Sequence, residues 1–153
     1  MAAAPTHRTL IVANRTAGTH LLLEEVERRA AARPTAFVLL IPAVTSTKAA
    51  DWTLNEALKS LRRAAQGPTG HRPTDVEGIV GGADPFESIE KALADGNFDD
   101  VVISPLPKRT SQWLKRDLPA RVEKLNVPVT VITPPKEKRM TIEESGLYGT
   151  GLG

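Results

Sequence analysis

The chain has no cysteine. That excludes disulfides, thiolate catalysis and cysteine-based zinc sites, and it suits a reducing, cytoplasmic setting. Aromatic residues make up only 4% of the sequence, too few for a base-stacking platform. The formal net charge is +2, so charge alone does not point to a nucleic-acid partner, and none is expected. No apolar run approaches the roughly 18 residues of a membrane span, and no membrane partner is expected. The opening MAAAP lacks the basic start and apolar core of a secretory signal. The three histidines, His7, His20 and His71, stand at no metal-ligand spacing to one another, so no metal is expected. There is no Gly-x-Ser-x-Gly elbow and no Walker-type loop, which disfavours an α/β-hydrolase and a P-loop nucleotidase. No cofactor is expected.

What remains is ordinary globular material: 153 residues, 41% hydrophobic and 25% charged, the size of one domain. Short apolar runs bounded by turn residues read as buried strands. Arg8 to Ala13 (RTLIVA), Ala36 to Pro42 (AFVLLIP), Thr74 to Val80, Val101 to Ser104 and Val127 to Ile132 (VPVTVI) are such runs. Between them lie helical patterns. Over residues 17–32, Leu22, Val26 and Ala30 recur at i, i+4 and i+8, with Glu24, Glu25, Glu27, Arg28 and Arg29 around them. Over residues 49–66 the stripe is Leu54, Leu58, Leu61 and Ala65. Asp84 followed by Pro85 opens a third helix, with Phe86, Ile89 and Leu93 inward. Leu118, Val122 and Leu125 mark a fourth. The order is β-α-β-α-β-α-β-α-β. Strict alternation with buried strands predicts an α/β fold, a parallel sheet with helices on both faces. The expected division is an extension over residues 1–7, an α/β domain over 8–133 and a C-terminal tail over 134–153. The tail, PPKEKRMTIEESGLYGTGLG, carries Met140, Ile142, Leu147, Tyr148 and Leu152 as apolar anchors. It reads either as a loose end or as a segment that docks on a partner subunit.

The segments TLIVANRT, GGADPFESIEKAL, FDDVVIS and ARVEKLNVPVTVI together resemble a universal stress protein domain over about residues 8–133. The resemblance rests on element order and on where apolar strands meet polar loops. It implies a Rossmann-like sheet of five parallel strands in the order 3-2-1-4-5, a homodimer paired through the fifth strand, and often bound ATP. The family's ATP signature is Gly-x-x-Gly, nine residues, then Gly-Ser or Gly-Thr, from the end of strand four. Counted without gaps, Ser104, Pro107, Asp117 and Leu118 stand at those four positions, and Asn14 stands where ATP-binding members usually have aspartate. The resemblance thus supports the fold while the signature is degenerate. Asp117 reads as the N-cap of the fourth helix, its carboxylate taking the amides a phosphate would otherwise use.

In such sheets ligands bind outside the strand carboxyl ends, where the strand order switches. The loop after strand one, with Asn14, Arg15 and Thr16, and the segment after strand four, with Ser104, Lys108, Arg109, Thr110 and Ser111, form a candidate crevice for a small anionic ligand. Each has a plainer reading: NRTAGT as a turn in which Thr16 caps the helix, and PLPKRTSQW as a solvated basic loop. No set of side chains reads as nucleophile and base, so no catalytic residue is assigned and a non-enzymatic regulatory or stress-response domain is expected. A binding protein for a nucleotide or another phosphorylated small molecule is the alternative. Charge is uneven: residues 84–100 hold six acids against Lys91, and residues 108–124 hold six bases against Asp117 and Glu123. These are solvated helix faces or a complementary contact between subunits.

Overall fold

Leu10, Ile11, Val12 and Ala13 are each wholly buried, and the two-residue period of a strand sends them alternately to opposite faces of the sheet. Ile11 and Ala13 join one apolar cluster, Leu10 and Val12 the other. A strand covered on both faces reads as an unbroken apolar run. The structure, a computed structural model, describes residues 7–13, 19–42, 47–70, 75–82, 84–105 and 117–132.

The strands are β1 (His7–Ala13), β2 (Thr35–Ile41), β3 (Asp75–Val80), β4 (Asp100–Ser104) and β5 (Val129–Val131). They are joined through helices α1 (His20–Ala32), α2 (Thr47–Gln66), α3 (Pro85–Asp95) and α4 (Leu118–Glu123). The sheet order is β3-β2-β1-β4-β5, every pair parallel. This is the expected α/β fold and strand order. One row of register partners runs across all five strands: Ile79, Leu40, Val12, Ile103 and Val131.

Most of the expected helix stripes are buried; Leu54, Phe86, Leu93 and Leu125 are partly buried, and Ala57 and Ala92 join the core in addition. Leu22, Val26 and Ala30 of α1, and Ala57, Leu58, Leu61 and Ala65 of α2, pack on Ile11, Phe37, Leu39 and Val102. On the other face, Ile89 and Ala92 of α3 and Leu118 and Val122 of α4 cover Leu10, Val12, Val101 and Ile103. Each fully buried Leu, Ile or Phe stabilises the fold by about 1.5–3 kcal/mol of transfer free energy.

Asp84 caps α3 as its sequence indicates. Its carboxylate accepts from the amides of Phe86 (2.9 Å) and Glu87 (3.3 Å), with Pro85 in the first turn. The expected capping of α4 is not seen. Asp117 stands at the N-cap position but in the left-handed region, φ 55° and ψ 39°, and its side chain makes no capping hydrogen bond. A capping side chain reaches the first-turn amides from extended backbone, which Asp117 does not have. Thr19, not Thr16, stands at the N-cap position of α1, which starts at His20. The fourth helix ends at Glu123, and Leu125 lies in the turn beyond it, its amide donating to the Val122 carbonyl at 2.9 Å. The fifth strand is shorter than VPVTVI, although the Val101 amide donates to Pro128 O and the Ile132 amide to Ile103 O, each at 2.9 Å.

Candidate functional site: the carboxyl edge of the sheet

Strand order runs outward from β1 through β2 to β3 on one side and from β1's other neighbour, β4, to β5 on the other. The switch point is therefore between the carboxyl ends of β1 and β4. Ala13 and Ser104 are register partners there, and both are buried, 0% and 2% exposed. The loops that begin at residues 14 and 105 thus leave from adjacent strands. Of the candidate crevice residues, Ser104 is within the described residues. Asn14, Arg15, Thr16, Lys108, Arg109, Thr110 and Ser111 lie outside them, as does Pro107. Asp117 is exposed, whereas Leu118 is 2% exposed and part of the α3–α4 cluster.

The third strand adds Gly81 and Gly82 to this edge. The Gly81 amide donates to Ile41 O at 2.9 Å. A Cβ on Gly81 would lie 2.7 Å from Ser88 Oγ and 3.1 Å from Leu40 Cδ1, so glycine is what lets α3 start so close to the strand end. Ser88 Oγ accepts from the Gly82 amide and donates to Asp84 O, each at 3.0 Å. The Gly-Gly pair is thereby tied to the first turn of α3.

A second polar cluster lies at the opposite, amino edge of the sheet. Arg29 of α1 donates through Nη1 to Asp100 Oδ2 (2.5 Å), through Nε to Glu25 (2.6 Å) and through Nη2 to Thr130 Oγ1 (3.1 Å). Thr9 Oγ1 donates to Asp100 Oδ1 at 2.7 Å, and His7 Nε2 lies 3.3 Å from the same oxygen. Burial pushes the Asp100 carboxyl up, but the bonds from Arg29 and Thr9, with the positive charge of Arg29, hold it below the usual carboxylate range. Glu25 follows the same logic: burial raises it, and Arg28 and Arg29 bring it down below its ordinary value. Burial disfavours the charged Arg29, and its two carboxylate partners reverse that. The sequence shows Arg29 and Glu25 as an i, i+4 pair. Nothing local in it marks Asp100 as the third member. These bonds make the cluster a brace between α1, β1, β4 and β5. Among the described residues no group of three or more histidine, aspartate or glutamate side chains is placed to hold a metal ion.

No family model matches the sequence, and no curated protein matches it. Solved structures do resemble it in fold. A universal stress protein from Archaeoglobus fulgidus superposes with a TM-score of 0.57 at 17% sequence identity, covering 83% of this chain and 94% of the other. A universal stress protein solved in complex with cAMP superposes with a TM-score of 0.50 at 14% identity, covering 86% of this chain and 99% of the other. With the strand order β3-β2-β1-β4-β5 and helices on both faces, the chain has the universal-stress-protein fold.

Proposed function

We propose that the chain is a cytoplasmic, non-enzymatic regulatory or stress-response domain of the universal-stress-protein type in which the ATP signature has been lost. The observation that carries this reading is Leu118. Where the signature has a serine or threonine to meet phosphate, this residue is a leucine buried in the α3–α4 core. Ser104, at the first glycine position, is buried as well, and a side chain there keeps the backbone further from a ligand than glycine would. Asp117 adds a carboxylate at the third glycine position, which disfavours a phosphate by charge.

The domain is proposed to act as a homodimer through β5. That strand pairs with β4 alone and ends the sheet, and an apolar edge invites pairing.

A second reading is a binding protein for a nucleotide or another phosphorylated small molecule at the carboxyl ends of β1 and β4. The register of Ala13 with Ser104 favours it, because adjacent loops there would bring Asn14 and Arg15 near Lys108 and Arg109. One structural neighbour was solved with cAMP.

A thermal-shift series with ATP, cAMP and inorganic phosphate separates the two. A ligand at a hundred times its dissociation constant adds about 2.7 kcal/mol of stability. The first reading expects no shift with ATP. A shift with cAMP or phosphate that disappears in Lys108→Ala/Arg109→Ala would establish the second.

A further inference from the structure

β3 ends the sheet opposite β5, with β2 as its one neighbour. The Gly81 amide donates inward to Ile41 O. Strand alternation therefore turns the backbone groups of Glu77 and Ile79 toward β2, and those of Val76, Gly78 and Val80 outward. This outward row is closed at both ends. Arg62 Nη2 donates to Val76 O, and the Gly82 amide donates to Ser88 Oγ, each at 3.0 Å. Among the described residues the outward groups of Gly78 and Val80, which lie between these ends, have no hydrogen-bond partner. Ile79 is the centre of the open stretch, with Val76 and Gly82 equally far on either side.

The same stretch is apolar. Ile79 is 39% exposed and Val80 42%, the exposed large apolar side chains among the described residues. On the α3–α4 face, Ile79 lines a groove of about 330 Å³ with Val38 and Leu40, where the β2–β3 half is open beside α3. Strand alternation puts Val80 on the other face, with Val76 and Gly78. A Cβ on Gly78 would stand 2.5 Å from Leu54 Cδ1, so Leu54 of α2 takes the place of a side chain there. The charges around the groove balance, Glu77 and Asp95 against Arg8 and Lys91.

We propose that this edge is a contact between two copies of the chain, paired antiparallel about a twofold axis at Ile79. The open stretch is its own complement. In that register Gly78 of each copy faces Val80 of the other, and each such pair exchanges backbone hydrogen bonds through the groups left open. The engaged Val76 O and Gly82 amide fall opposite one another just beyond and end the ladder. Ile79 meets Ile79 of the second copy on the α3 side, and Val80 of the second copy stands beside Leu54 on the other. Glu77 faces Gly81, so no acid faces an acid, and a surface of balanced charge does not repel its own copy. A twofold contact closes on itself. The ladder spans residues 77–81 only, against roughly 20–30 residues a side in a standard interface. The contact is therefore weak, forms at high local concentration and does not depend on a dimer through β5.

The cysteine-free chain makes the test direct. Ile79 and its copy form a non-hydrogen-bonded antiparallel pair, whose Cα atoms lie about 4.5 Å apart, within the range of a disulfide. Position 77 and its copy lie about 14 Å apart along the strands, too far to bridge. Ile79→Cys and Glu77→Cys are oxidised mildly in parallel and followed by non-reducing electrophoresis. Ile79→Cys should give the covalent dimer at least about tenfold faster, a factor equivalent to about 1.4 kcal/mol. Val80→Pro removes an outward amide without touching the bonds to β2. Val80→Lys keeps the amide and places a charge on the edge. Either change should bring Ile79→Cys down to the rate of Glu77→Cys. Val131→Pro, at the opposite edge of the sheet, should leave the ratio unchanged whether or not β5 pairs. Far-UV circular dichroism checks the fold of each variant. Equal rates for the two cysteine variants would overturn the proposal. So would an advantage that survives a folded Val80 variant or vanishes with Val131→Pro.

Discussion

Arg29 and Asp100, 71 positions apart, meet at the amino edge of the sheet with a hydrogen bond of 2.5 Å. Each side chain is 14% exposed, and Arg29 also holds Glu25 and Thr130. The pair ties α1 to the β4–β5 side of the sheet, the side on which the fifth strand depends.

Neutralising Asp100 removes one of the two carboxylates that Arg29 meets and leaves Glu25 as the other. Asp100→Asn should destabilise the fold by about 2 kcal/mol at pH 7. Asp100 and Glu25 are both held below their ordinary values in the folded chain. Their stabilising share is therefore present above about pH 4 and is lost as the pH falls through the depressed folded values. Urea unfolding at pH 7 and near pH 3 should show the gap between wild type and Asp100→Asn closing on the acid side. A gap of constant size would mean that the carboxylate's charge is not what stabilises.

Leu118 belongs to the core, 2% exposed and packed in the α3–α4 cluster. Leu118→Ser should cost about 3 kcal/mol, from lost transfer free energy, a cavity and a poorly partnered hydroxyl. A change below about 0.5 kcal/mol in denaturant unfolding, the size of an ordinary surface substitution, would show that the site is already open.

Asp117 holds a left-handed backbone without capping α4. Asp117→Gly should be neutral or stabilising by about 0.5 kcal/mol, since glycine adopts positive φ without steric cost. A loss of about 1 kcal/mol, the size of a lost N-cap, would restore the carboxylate as a cap.

The proposed dimer puts a second constraint on β5. Thr130 is a poor place to disrupt it, because its hydroxyl accepts from Arg29. Ile132 turns its amide toward β4, so strand alternation turns that of Val131 outward. Val131→Pro should abolish pairing along that edge and leave the bonds to β4. Light scattering at micromolar concentration should give a dimer for the wild type and a monomer for the variant. A monomeric wild type contradicts the proposal.

The elements that the sequence displays most openly are those fixed by local pattern. RTLIVA and AFVLLI are unbroken apolar runs because both faces of β1 and β2 are covered, and Asp84-Pro85 is a cap that needs no tertiary help. Asp117-Leu118-Pro119 carries a similar signature, yet Asp117 is left-handed, and composition does not encode that. The open half of the α3–α4 face was not legible either. It depends on where α3 lies across the sheet, and residues such as Ile79 look like core in any strand reading. In the sequence Arg29 is one of the charged residues around the stripe of α1, and its partners Asp100 and Thr130 are brought to it only by the strand order. Of the candidate crevice, the switch point follows from the strand order that the resemblance implies, and the register of Ala13 with Ser104 agrees with it.

The loss of the ATP signature is the central claim, and calorimetric titration of the freshly purified chain with ATP tests it most directly. Losing about 4 kcal/mol of phosphate contacts takes a micromolar site to the millimolar range. No binding heat is expected at about 100 μM ATP, roughly tenfold below such a dissociation constant. A low-micromolar dissociation constant would contradict the claim.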